Sequence, residues 1–159
     1  DRIVVFNHGR VVQEGTPETL YNSPESAFVA NFLGECNLIY ARVAQEGAKP
    51  KAKLSTGALV TLPAALPERE LKMIGIRPER ITIGKDAQDC ENRFEAMIVE
   101  VFFLGQGYKI VAMEADFSWT IIIQNRLRLP DLNIGTTIEI GFDWQDLILI
   151  TQPDKASDI

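Results

Sequence analysis

Apolar residues along this 159-residue chain fall into short runs separated by turn signals. Ile3–Phe6 and Arg10–Gln13 flank Asn7-His8-Gly9 and predict a short hairpin. Thr16 then suits a helix N-cap, Pro17 the first helical position and Glu18 the positive helix end. A short helix through Leu20 and Tyr21 should follow. Ser23-Pro24-Glu25 repeats the start signal. Phe28 and Phe32 fall four apart, as do Val29 and Leu33, which gives one apolar helical face. Gly34 is placed to end that helix.

After Gly34 the period shortens. Leu38–Gln45, Leu59–Leu62, Met73–Ile76, Ile81–Ile83, Phe94–Leu104, Tyr108–Glu114, Trp119–Ile123, Thr137–Phe142 and Leu147–Thr151 are apolar or alternating runs. Glu46-Gly47, Ser55-Thr56-Gly57, Glu114-Ala115-Asp116 and Asn133-Ile134-Gly135 punctuate them. Many short strands at this spacing predict a mainly β fold, an antiparallel barrel or sandwich, behind the hairpin and two short helices. Residues 63–70 read as a proline-bounded connection with one helical turn, and 84–92 as a polar link. Two β units, about 36–84 and 93–152, are one way to divide the body, although their sequences do not look alike. The tail, 153–159, is expected to be disordered.

Composition narrows the chemistry. Lys plus Arg is 16 against 22 for Asp plus Glu, a net charge of −6, which argues against a nucleic-acid partner. The uncharged run from Leu54 to Pro67 contains two prolines and cannot span a bilayer. Ile3–Phe6 is too short for the apolar core of a secretory signal. Cys36 and Cys90 have no CxxC spacing, and with His8 as the single histidine a Cys/His zinc site lacks ligands. Both thiols are expected free in a reducing cytoplasm, the alternative being one secreted disulfide. A Ser-His-Asp triad would have to use His8, which sits in a turn.

The chain has neither GxxxxGK[ST] nor GxGxxG. Gly105-Gln106-Gly107 follows an apolar strand and reads as a bulge or tight turn. Arg77-Pro78-Glu79 ends one strand and opens the next. Its Arg and Glu can meet an anion or a neighbouring subunit, and the plainer reading is a solvated turn fixed by Pro78. Trp119 and Trp144, with Phe102, Phe103, Phe117 and Phe142, read as core, because a base-stacking platform needs a basic groove. Asp143-Trp144-Gln145-Asp146 reads as a hairpin loop whose two aspartates are too few for a hard cation.

The first 34 residues carry a resemblance. Asp1 through Pro17, then Leu20-Tyr21-Asn22-Ser23-Pro24 and Phe28-Val29-Ala30-Asn31-Phe32-Leu33-Gly34, resemble the end of an ABC transporter ATPase domain. Gly75-Ile76-Arg77-Pro78-Glu79 resembles the G-x-R-P-E signature of the transport-associated OB domain that follows it in importer ATPases. Phe94–Gly105 and Gly141–Leu149 resemble that domain's later strands, and the spermidine/putrescine importers are the nearest in appearance. The resemblance implies that 1–34 is the tail of the ATPase domain. It implies that 35–152 is an OB-like regulatory domain, divisible at 35–84 and 93–152. The Walker A lysine, the LSGGQ-type signature and the catalytic glutamate are not in this sequence. The chain is therefore expected to be a non-catalytic C-terminal part without cofactor, with ATP and Mg held by the parent's ATPase domain. Its implied partners are a second copy, that ATPase domain, membrane-spanning permease subunits, and in some members a regulator or the solute. Its implied place is the cytoplasmic face of the membrane. Arg77 and Glu79 are the expected dimer contact, since an Arg and a Glu on one loop can pair reciprocally across a two-fold axis. The alternative is a stand-alone OB-type module for a small oxyanion or other ligand.

Overall fold

The computed structural model describes residues 1–64, 66, 70–125 and 129–151. The helical turn expected within 63–70 lies partly outside these, and the tail 153–159 wholly outside. Strand β1 (Ile3–Asn7) turns into β2 (Arg10–Gly15) through His8-Gly9. These two residues have φ of 48° and 74°, the left-handed pair that a type I′ hairpin turn requires. Thr16 caps α1 (Pro17–Asn22), its hydroxyl accepting from the Thr19 N–H at 3.1 Å.

Helix α2 (Ala27–Phe32) starts later than Ser23-Pro24-Glu25 predicts, with Ser26 as its cap. The reason is Gln13. Its buried amide donates to the Ser23 carbonyl at 3.1 Å and accepts from the Glu25 N–H at 3.0 Å, which holds 23–25 as a loop. Val5, Leu20 and Val29 form a small core under the hairpin. Phe32, expected on the buried face, is 61% exposed and stacks on Phe28 at the rim.

The β body comprises β3 (Asn37–Gln45), β4 (Lys51–Leu54), β5 (Leu59–Thr61), β6 (Met73–Ile76), β7 (Thr82–Ile83), β8 (Asn92–Phe103), β9 (Gly107–Glu114), β10 (Phe117–Gln124), β11 (Thr137–Phe142) and β12 (Ile148–Ile150). They form two five-stranded antiparallel sheets, β12-β6-β3-β4-β5 and β7-β11-β8-β9-β10. Read in this order, the sheets follow one plan. Gly75 of β6 pairs with Leu38 of β3 and Ile148 of β12, and Gly141 of β11 pairs with Arg93 of β8 and Thr82 of β7. Each half lends its last strand to the other's sheet. One apolar core runs through both, from Ile39, Ile74 and Ile76 to Ile98, Ile110, Trp119 and Ile140. Trp119 is fully buried, with Phe94, Phe117 and Phe142 at ring distances of 5.1, 4.8 and 5.8 Å, whereas Phe102 and Phe103, expected in the core, are exposed at the end of β8.

Two 3-10 turns, Pro78–Arg80 and Trp144–Asp146, carry the chain between sheets. Asp143-Trp144-Gln145-Asp146 is thus a crossover and not a hairpin loop. The two crossovers meet where Arg80 Nη1 lies 3.5 Å from Asp146 Oδ1. Gly105-Gln106-Gly107 makes the tight β8–β9 turn, and a Cβ on Gly107 would sit 2.3 Å from the Ile123 carbonyl oxygen.

The exchange is locked by two asparagines in equivalent places, the first residues of β3 and β8. The Asn37 amide donates to the Thr120 carbonyl at 2.8 Å and accepts from the Thr120 N–H at 2.7 Å. Asn92 does the same for Thr61, at 3.1 and 2.6 Å. Each side chain imitates a strand partner along the edge strand of the opposite sheet, which covers an otherwise open backbone edge.

Candidate functional site

Pro78 disfavours helical geometry for the residue before it, and Arg77 closes β6 in an extended conformation, φ −69° and ψ 140°. Arg77 is not on a solvated turn. It is 3% exposed, because α1, α2 and the linker after them pack over it. Its Nη1 donates to the carbonyls of Ala30 at 2.8 Å, Gly34 at 3.1 Å and Glu35 at 3.1 Å. Its Nη2 donates to the Tyr21 carbonyl at 2.9 Å. The guanidinium carbon also lies 4.0 Å from the centroid of the Tyr21 ring, within cation–π range. The Tyr21 hydroxyl donates to the Glu79 carboxylate.

The chemistry explains the choice of residue. A helix end leaves its last carbonyls without partners, and helices of only six residues are mostly ends. Arg77 supplies a fixed charge and a planar set of donors to carbonyls from both helices and the linker at once. Within the described residues its Nε has no partner. The equivalent residue of the second crossover, Asp143, is exposed. The crossover itself therefore does not need an arginine, and the burial of Arg77 belongs to the docked helices.

Burial, then the hydrogen bond to Glu79, pushes the Tyr21 phenol above its usual range. Burial likewise pushes the neighbouring Cys36 thiol up, with Arg77 opposing that shift. The site holds neutral Tyr21 and Cys36 around one committed cation. Sequence reasoning found Arg77 and Glu79 but missed Tyr21, Cys36, Asn37 and Asn92, all of which look unremarkable in their local patterns. Arg77, expected at a two-fold dimer contact, is buried, and its guanidinium donates to four carbonyls of its own chain. Glu79 remains exposed.

Other expected features lie elsewhere. His8 is exposed in the hairpin turn, and Cys36 and Cys90 are free thiols. Among the described residues no cluster of three His, Cys, Asp or Glu could hold a metal, and no helix is long and apolar enough to cross a membrane. The outer face of the hairpin leaves Val4, Phe6 and Val11 exposed, as Phe32 is on α2.

Residues 74–150 match the TOBE domain. The spermidine/putrescine import ATP-binding protein PotA of Acetivibrio thermocellus is 31% identical over 157 residues, covering 99% of this chain and 42% of that protein. The Fe(3+) ions import ATP-binding protein FbpC of Rhizobium etli is 29% identical over 151 residues, 94% of this chain and 41% of that protein. The sulfate/thiosulfate import ATP-binding protein CysA 2 of Chromobacterium violaceum is 36% identical over 105 residues, 66% of this chain and 28% of that protein. The chain thus spans less than half the length of these relatives. The molybdate-bound form of the cytoplasmic molybdate-binding protein ModG has a TM-score of 0.53 at 13% identity, covering 74% of this chain and 96% of that one. What the two share is the fold, an OB-like arrangement of curled antiparallel sheets.

Proposed function

The chain carries a TOBE domain and is related along nearly its whole length to the ATP-binding subunits of ABC importers, and from that premise we propose that it is the regulatory, non-catalytic part of such a subunit. Arg77 carries the reading. Through it the β body grips helices α1 and α2 and the linker after them, so a movement of one part is passed to the other. Residues 1–34 serve as the closing piece of an ATPase domain, and the apolar outer face at Val4, Phe6 and Val11 packs on that domain. ATP and Mg bind in the ATPase domain, and permease subunits lie beyond it at the cytoplasmic face of the membrane. Two copies associate about a two-fold axis, with Glu79 near the contact. A polyamine is the solute favoured by the several spermidine/putrescine relatives.

The test is a chimera in which the matched region of the Acetivibrio thermocellus relative is replaced by this chain. Expressed with the cognate permease in a host lacking its own subunit, it should restore spermidine uptake. Failure of uptake with a folded chimera overturns the reading, and uptake of iron or sulfate by the corresponding chimeras instead overturns the polyamine assignment. Calorimetric titration of this chain with Mg-ATP should give no heat. Tight binding of molybdate by the isolated chain would favour an oxyanion module instead.

A further inference from the structure

The outer face of β3 and β4 concentrates positive charge on an acidic protein. Tyr40 and Arg42 point outward from β3, Lys53 from β4, and Lys72 lies just before β6. With Ser55 and one acidic residue, Glu70, they line an open trough of about 550 Å³, in which three cations face a single carboxylate. The register sets Arg42 directly opposite Lys53. Like charges facing each other across antiparallel strands oppose folding. Among the described residues neither has an ion-pair partner, whereas Lys72 has Glu70 at 2.6 Å. Tyr40, beside Arg42 on the same face, is 69% exposed.

The second half of the β body shows what the fold itself needs at these places. Counting from Asn37 and Asn92, Tyr40 corresponds to Glu95 and Arg42 to Met97. Lys53, opposite Arg42, corresponds to Met113, opposite Met97. A pair of methionines serves the same sheet position without repulsion. The cations of the first half are therefore not a requirement of the architecture. They oppose folding in a chain whose net charge is −6, so neither the fold nor the overall charge accounts for them.

We propose that this trough docks an acidic polypeptide segment, a run of Asp and Glu side chains supplied by a partner protein. Its shape favours an extended segment over a small ion. A small anion is held by convergent backbone N–H groups in a concavity, whereas this trough is open and its donors are long side chains. Exposed Tyr40 gives the aliphatic parts of such a segment an apolar surface, and the cations meet its carboxylates. The inference rests on strand register and charge and stands apart from the transporter reading above.

The test uses a fluorescein-labelled octaglutamate peptide and fluorescence anisotropy at low salt, about 50 mM, where surface charge is least screened. Wild type should bind, and binding should weaken as salt is raised. Arg42→Glu/Lys53→Glu should bind at least about tenfold more weakly. Arg10→Glu/Lys85→Glu changes the net charge by the same amount at exposed sites elsewhere and should bind within about twofold of wild type. Thermal melting confirms that both variants are folded. Absence of wild-type binding overturns the proposal. So does equal loss in both double variants, which would mean non-specific attraction. Displacement of the peptide by an equimolar amount of inorganic sulfate also overturns it, since that would mark a small-oxyanion site.

Discussion

Replacing Arg77 with methionine keeps an unbranched apolar stem and removes every donor. Four carbonyls, of Tyr21, Ala30, Gly34 and Glu35, then lose partners now at 2.8–3.1 Å. An orphaned buried polar group costs about 1–3 kcal/mol. Carbonyls near the rim regain water, so the sum over the four stays near the cost of one fully orphaned group, about 3 kcal/mol. The loss falls on residues 1–34 and not on the β body, whose core runs through residues that Arg77 does not support. At about 1.4 kcal/mol per tenfold, the local opening equilibrium shifts about 150-fold. Native-state hydrogen exchange reads this directly. Amides of α1 and α2, among them Leu20 and Ala30, should exchange about 150-fold faster, while those of the central strand β9 change by less than about threefold. In wild type the amides of 16–33 should already be less protected than those of 94–104. Unchanged exchange in α2, or an equal rise in β9, would refute the idea that Arg77 is the joint between two parts of different stability.

Arg42→Glu converts the like-charge pair with Lys53 into an attractive one and should raise stability by about 0.2–1 kcal/mol, seen as a higher melting temperature; a lower one contradicts the cross-strand argument. Asn92→Ala leaves both backbone groups of Thr61 without the partner they have now, and Asn37→Ala does the same for Thr120. Each should cost about 1–3 kcal/mol in urea unfolding, and a change near zero would show that the asparagine locks are dispensable. The raised Cys36 thiol gives a pH signature. Folding favours its protonated form, so its contribution is complete below the ordinary thiol value of about 8.5 and is lost as pH rises through the higher folded value. Melting temperature should fall above about pH 8.5 more steeply in wild type than in Cys36→Ala, and identical slopes would contradict the assignment.

Local chemistry was legible in the sequence where it acts locally. Thr16-Pro17 capped a helix as its residue types require, His8-Gly9 made a turn, and Met73–Ile76 and Thr137–Phe142 are strands to the residue. Strand β4 went unseen because Lys51-Ala52-Lys53-Leu54 offers a small alanine and one leucine as its apolar signal, although both are buried. The start of α2 was misplaced because Gln13, ten or more residues away, decides the conformation of 23–25. The exchange of β7 and β12 between sheets is set by long-range pairing, and the two halves share a plan through Gly75 and Gly141, Asn37 and Asn92, not through similar runs. Arg77 was singled out by its motif, yet its burial follows from where the helices dock. No pattern of neighbouring residues reports that.

The proposed coupling between the β body and an ATPase domain is read most directly by comparing ATP turnover and spermidine uptake in the chimera with and without Arg77→Met. If Arg77 is the joint, turnover by the purified subunit persists while uptake through the assembled transporter falls at least about tenfold, a loss of about 1.4 kcal/mol in coupling. Uptake equal to that of the unsubstituted chimera, with α2 shown by hydrogen exchange to be loosened, would contradict the account.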